Sequence, residues 1–165
     1  MRNLLLILLF SISLTGFSQT IDKQPSFWDN VQFGGGLGFG IGSNRTTISV
    51  APSAIYNFSP KFSLGIGASY LYAKNNIYKS NVFGASIISL YNPFEQFQLS
   101  AEFEHLFVNH KIGSVKQPKY DYPALYLGAA YRVGNFSAGL RYDVLYDDDK
   151  SIYASAFSPI FRFYF

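Results

Sequence analysis

The chain has 165 residues, enough for one domain, with no cysteine, 19% aromatic residues and only 14% charged ones. The missing cysteine excludes disulfides, thiolate metal sites, cysteine catalysis and a lipid-anchored cysteine. A formal net charge of +3 is too small to argue for a nucleic-acid partner, and no RNA- or DNA-binding motif is present.

The first residues read as a secretory signal. Arg2 gives a short positive start, Leu4 to Leu14 an apolar run broken only by serines, and "TGFSQ" the small residues before a cut. The run is too short to span a bilayer comfortably. Residues 1–18 are therefore expected to be removed, leaving residues 19–165 as an exported domain. An exported, aromatic-rich chain with no later long apolar run suggests a bacterial outer-membrane barrel, whose strands need only about 9–11 alternating residues.

Period-2 segments between turn signals support that reading. In Val31 to Ile41, the side chains of Val31, Phe33, Leu37, Phe39 and Ile41 share one face, while Gly34, Gly36, Gly38 and Gly40 occupy the other. "FGGGLGFGIGS" fits no register of the dinucleotide pattern, no helix follows it, and no Lys-Ser or Lys-Thr pair closes a phosphate loop. It reads instead as a strand whose inner side is cleared of side chains. Thr46 to Phe58 is the second strand, with Pro52 on its outer face. Phe62 to Ala73 is the third and alternates cleanly. Ser80 to Tyr91 is the fourth, with its facing left open by the adjacent Ile87 and Ile88.

Phe97 to Asn109 sets Phe97, Leu99, Ala101, Phe103 and Phe107 against Gln98, Ser100, Glu102 and Glu104. A long polar loop is expected from His110 to Tyr122, then strands over Pro123 to Val133, Phe136 to Tyr146 and Ser151 to Phe165. Pro159, like Pro52, falls on the outer face and could mark a bulge. The short "SPK", "NPFEQ" and "GN" turns alternate with longer polar connections. The expected fold is thus all-β: an eight-stranded antiparallel transmembrane β-barrel with a side-chain-plugged interior and both termini in the periplasm.

The expected outer faces are apolar, whereas the inward residues are Gly, Ser and charge, which cannot serve as a core. The apolar side is therefore expected to meet lipid. Trp28, Phe58, Phe62, Phe97 and Phe136 would form an inner aromatic girdle, and Tyr70, Tyr72, Tyr142, Tyr146 and Tyr153 an outer one. Six inward charges, Glu102, Glu104, Arg132, Arg141, Asp143 and Arg162, are expected to form an interior salt-bridge network facing the glycine wall. The pattern "IFRFYF" places Phe161, Phe163 and Phe165 on one face, resembling the terminal signal that barrels present to the assembly machinery.

Candidates for chemistry are few. His105 lies on the outer face. His110 opens the long loop, with Ser114 and Asp121 later in it, but nothing in the sequence holds these three within reach of one another. Asp147, Asp148 and Asp149 could offer oxygens to calcium, though a solvated loop tip is the plainer reading. No catalytic set, metal site or cofactor is expected. Lys111, Lys116 and Lys119 make the long loop basic, suited to lipid phosphates or an acidic protein partner.

The stretches "FWDNVQFGGGLGFGIGSNRTTISVAPSAIYNFSP", "LYNPFEQFQLSAEFEHLFVN", "YPALYLGAAYR" and "LRYDVLYDDDKSIYASAFSPIFRFYF" together resemble a family of small exported proteins of flavobacteria and relatives. The resemblance covers nearly all of the expected mature chain. It implies an outer-membrane barrel of Bacteroidota and carries no established activity. Such chains sometimes bear the label alpha-ketoglutarate decarboxylase. A thiamine-diphosphate enzyme needs large α/β domains and a metal-diphosphate motif, which these residues lack. The functional expectation is a structural or accessory outer-membrane protein acting through its outer loops. A small-solute channel and a lipid-modifying enzyme are the alternatives.

Overall fold

The computed structural model describes residues 26–42, 45–75, 78–112, 115–116, 118–153 and 155–165. The expected signal segment and Ser114 lie outside the described residues. A short 3-10 turn, Phe27–Asn30, is capped by Ser26, whose backbone N–H donates to Asp29 Oδ2 at 2.9 Å. Nine strands follow: β1 (Val31–Gly42), β2 (Arg45–Asn57), β3 (Phe62–Asn75), β4 (Tyr78–Phe94), β5 (Phe97–Ile112), β6 (Val115–Lys116), β7 (Tyr120–Val133), β8 (Phe136–Asp143) and β9 (Phe157–Tyr164).

The sheet order β4-β3-β2-β1-β9-β8-β7-β5 is closed by pairing of β4 with β5, and every pairing is antiparallel. The result is a closed eight-stranded barrel, with β6 a short return limb on β5. Closure gives each of the eight strands a partner on both sides, with β1 and β9 joined over only a short stretch. The turns at 58–61, 95–96 and 134–135 lie at one end, here the turn end, and the longer connections at the other, the loop end. Gly134 takes φ 56° in its turn, a conformation that favours glycine. Residues 26 and 165 both belong to the turn end, where Phe33 and Phe165 exchange backbone hydrogen bonds of 3.1 and 2.9 Å.

Alternation along each strand divides the wall. Leu64, Ile66, Phe83, Phe103, Leu127, Leu140 and Phe161 are exposed on the outer face, while Ser63, Val82, Glu102, Tyr126 and Arg162 are buried inside. The open facing of β4 is settled by its register: Ile87 pairs with outward Phe103 and is 56% exposed, whereas Ile88 pairs with Glu102 and is 4% exposed. Neither Pro52 nor Pro159 shifts the register. Pairing with β3 lapses at Ala51 and Pro52 and resumes unshifted, while Pro159 stays paired with Leu140. The irregularity falls instead in β4, between Tyr91 and Phe94.

Three expectations are corrected here. The interior is not filled by Gly, Ser and charge alone. Leu71, Ala73, Val82, Leu106, Val108, Tyr122, Ala124 and Tyr126 form an apolar cluster toward the loop end, and Ile55, Ile88, Leu90 and Tyr164 a second toward the turn end. The expected long loop at 110–122 is largely a hairpin, since β5 runs to Ile112 and β7 begins at Tyr120. The last two strands are shorter than expected. Residues 144–156 leave the wall, so Tyr146 and Tyr153 are not part of an outer girdle; Tyr70, Tyr72 and Tyr142 remain outside.

Candidate functional site

The interior between the two apolar clusters holds the charges. Glu102 projects inward from β5, and its Oε2 accepts from Arg162 Nη2 of β9 at 2.9 Å and from Arg141 Nη1 of β8 at 3.2 Å. Arg141 Nε also donates to Ser158 Oγ at 3.0 Å, and its guanidinium lies 3.9 Å from the centre of the Tyr126 ring, a cation–π contact. One carboxylate oxygen thus joins three strands that share no short loop. Arg162 is 7% exposed, and its Nη1 has no hydrogen-bond partner among the described residues.

The remaining expected members of the network lie elsewhere. Glu104 is buried but accepts from the Ser69 hydroxyl of β3 instead of pairing with an arginine. Asp143 is buried at the end of β8, where Oδ1 accepts the backbone N–H groups of Leu125 and Leu145 at 3.1 and 3.0 Å. It secures the chain where the strand stops. Arg132 faces inward, but it stands opposite Ser137, near the turn end, and Nε donates to the Gly134 carbonyl at 2.9 Å. It is six residues from Tyr126, the partner of Glu102, or about 20 Å along the strand. Alternation shows which way a side chain faces, while register sets its height, and height separates these groups.

The glycine wall divides in the same way. A Cβ at Gly34 would run into the Phe163 carbonyl and the Tyr164 backbone, and one at Gly35, whose φ is 140°, into the Ala51 carbonyl. These two glycines serve close backbone approach. A Cβ at Gly36 would meet only the Phe161 carbonyl oxygen, at 3.1 Å, and one at Gly38 the Ser49 hydroxyl. Gly36 and Gly38 help line a cavity of about 90 Å³ that Glu102, Arg141 and Arg162 also border. Gly40 continues the strand opposite Thr47.

At the loop end, residues 144–153 fold over the barrel mouth. Tyr120 Oη donates to the Lys150 carbonyl at 3.1 Å, Tyr122 Oη accepts from the Ile152 N–H at 3.2 Å, and Tyr146 Oη donates to the Tyr153 carbonyl at 3.1 Å. Ile152 and Tyr153 pack on the apolar cluster below. Burial pushes the Tyr153 hydroxyl up to about 12. Asp147 makes the turn: Oδ1 accepts from the Asp149 N–H at 3.0 Å, and Lys150 lies 3.4 Å from Oδ2. The Asp149 N–H, with Lys150, holds this carboxyl below its usual range. Among the described residues no group of three or more His, Cys, Asp or Glu side chains converges.

On the outer face, His105 Nε2 lies 2.8 Å from Asp121 Oδ2. Asp121 therefore does not partner His110, as the sequence had left open; the His110 ring meets Tyr120 edge-on at 5.8 Å. His105 stands opposite Ala85 and Pro123, neither of which offers a nucleophile. Lys111 and Lys116 oppose one another across the β5–β6 hairpin, and Lys119 is exposed beyond it. Phe161, Phe163 and Phe165 are exposed along one outer face, with the last two rings 6.0 Å apart. At the turn end Trp28, Phe58, Phe62, Phe97 and Phe136 are likewise exposed outside the barrel.

Sequence reasoning missed Tyr126 and Ser158, the neutral groups that contact Arg141 beside Glu102. Their inward parity was available, but their heights were not. No family model matches the chain, and neither does any curated protein or solved structure.

Proposed function

We propose that this chain is a bacterial outer-membrane barrel with a filled, non-conducting interior, a structural or accessory constituent that meets lipid along its wall and partners through its loop-end segments. One observation carries the reading: the polarity of the wall is inverted. Large apolar side chains, including Phe33, Leu37, Ile66, Phe83, Phe103, Leu127 and Leu140, stand uncovered around the outside, while Glu102 and Arg162 are buried within and Arg141 is half-buried beside them. In water such a continuous apolar surface would be a large liability, whereas in a bilayer it is the required outer face. The closed ladder, short only at the β1–β9 seam and at Ala51–Pro52, supports the other demand of hydrocarbon, that backbone polar groups find partners within the protein. Strands of 12 to 17 residues in β1 to β5 exceed the length that a crossing needs.

The plug consists of the Glu102 ion pairs, the apolar layers on either side, and the Ile152–Tyr153 segment over the mouth. The test is to fold residues 19–165 into neutral phosphatidylcholine vesicles and then record from planar bilayers. The expected result is a heat-resistant, protease-protected band with no steady single-channel current. A chain that folds as a monomer in water without detergent or lipid would refute the membrane reading. Steady conductance by the inserted protein would refute the plug.

A further inference from the structure

A row of like charges crosses the loop end of the wall. Lys74 of β3 stands directly opposite Lys79 of β4, Lys79 opposite Lys111 of β5, and Lys111 opposite Lys116 of β6. Directly opposed residues bring their Cβ atoms to about 4.5–5.5 Å, and like charges so placed destabilise a sheet. Lys74, Lys79 and Lys111 are exposed, and among the described residues none of the three pairs with a carboxylate. The acid on the neighbouring strand, Asp121, stands opposite Phe107, about 13 Å along β5 from Lys111, and is engaged by His105. The repulsion is therefore not offset within the wall.

The rows below identify what offsets it. One outward position nearer the turn end come Tyr72, Asn81 and Asn109, in register with one another. The next row is Tyr70, Phe83 and Phe107, and two rows further on are Ile66, Ile87 and Phe103. Tyr70 Oη donates to Asn81 Oδ1 at 2.8 Å, and its ring lies 5.0 Å from that of Phe83. The row between Phe107 and Phe103 is Ala68, Ala85 and His105, the last 2.8 Å from Asp121 Oδ2. Apart from that one polar pair, apolar, aromatic, amide and cationic rows succeed one another toward the loop end, the depth profile of a bilayer boundary. Four residues along a strand tilted by about 40° lift the lysines about 10 Å above the Tyr70–Phe83 pair, to the level of headgroup phosphates.

We infer that the Lys74–Lys79–Lys111 row is a docking stripe for the phosphate groups of lipid headgroups in the leaflet at the loop end. The inference rests on the membrane reading above. A headgroup carrying two phosphates supplies the negative charge that this part of the wall lacks. The lysines are the outermost outward rungs of the β3–β4 and β5–β6 hairpins, on the same outer face as the aromatic rows and at headgroup height, and this favours a lipid over a protein occupant.

The full barrel, held in neutral-detergent micelles, is titrated with lipid A while the unfolding temperature of its heat-resistant gel band is followed. The parent gains stability as lipid A is added. The K74Q/K79Q/K111Q variant loses most of that gain, and its apparent affinity falls at least about tenfold. K74R/K79R/K111R retains the gain. Without lipid A the glutamine variant is at least as stable as the parent, since the repulsion is gone, which also establishes that it folds. A glutamine variant that keeps the whole gain overturns the inference. So does a parent that gains nothing from lipid A, or gains as much from inorganic phosphate. The membrane reading fails by a different measurement, absence of insertion into neutral phosphatidylcholine vesicles, in which lipid phosphomonoesters take no part.

Discussion

β1 and β5 lie opposite one another in the barrel, four strands apart in either direction, and fill the lumen in opposite ways. β5 sends in Gln98, Ser100, Glu102, Glu104, Leu106 and Val108; the described inward positions of β1 toward its middle are Gly34, Gly36 and Gly38. An eight-stranded interior has room for about one layer of side chains, so a full wall needs an empty one across from it. The two strands also differ in how they are held. β5 pairs with β4 from Tyr78–Ile112 to Phe94–Phe97, whereas among the described residues β1 is in register with β9 at Gly34, Gly35 and Gly36, extended by the Phe33–Phe165 exchange. The emptiest wall is also the shortest seam, and the glycines of a single run do two separate jobs.

The widest separation between those jobs is expected from two alanine substitutions. Gly34→Ala puts a Cβ into the Phe163 backbone, which cannot rotate away, and the seam should fail to close. Little or no heat-resistant band should form in micelles. Gly36→Ala meets one carbonyl oxygen at 3.1 Å beside a cavity and should fold nearly as well as the parent. Equal behaviour of the two variants would dissolve the distinction between seam and lumen glycines.

On the full wall, Glu102→Gln leaves the buried Arg162 and half-buried Arg141 guanidinium groups without their carboxylate. Breaking a buried pair in this way costs about 3–5 kcal/mol, read as a lower urea midpoint in micelles. An unchanged midpoint would mean that the ion pairs do not hold the plug together.

The smallest effect belongs to the loop over the mouth. With Tyr153 raised from 10.0 to about 12, an unfolded or released segment loses its proton at lower pH than the docked one. The docked state's advantage is whole below pH 10 and declines as pH rises from 10 through about 12. Protease cleavage within 144–156 should therefore increase over that window, and Tyr153→Phe should remove Tyr153's share of the dependence. A cleavage rate flat across the window in the parent would show that Tyr153 does not govern docking.

The β5 side of the comparison was far more legible in the sequence than the seam. Alternation over Phe62 to Ser69 in β3 and Phe97 to Glu104 in β5 assigns strand and facing together, because a half-covered wall demands it. Where polar residues run to the top of a strand, as in Lys79, Lys111 and Tyr120, the same rule fails: a ladder can continue through residues that read as loop. The opposite error fell on Ile152 and Tyr153, whose apolar character suggested a strand but covers the mouth instead. Adjacent Ile87 and Ile88 could not be faced by pattern, since an inner apolar layer makes both faces of β4 hydrophobic. In the charged layer, parity put Arg132 and Asp143 inside correctly and register kept them out of the Glu102 cluster.

The shared oxygen of Glu102 also bears on the order of assembly. Its two arginines lie 39 and 60 residues further along the chain, on β8 and β9. If the barrel spans a bilayer as proposed, a chain that has placed only β1 to β7 there would hold a carboxylate whose counter-ions have not arrived, and uncompensated charge in a low-dielectric medium is strongly disfavoured. Arrival of β8 and β9 neutralises that charge and completes the seam in the same event. In that reading partly built barrels would be penalised until β8 and β9 dock, with closure the late, slow step expected of contacts so distant in sequence.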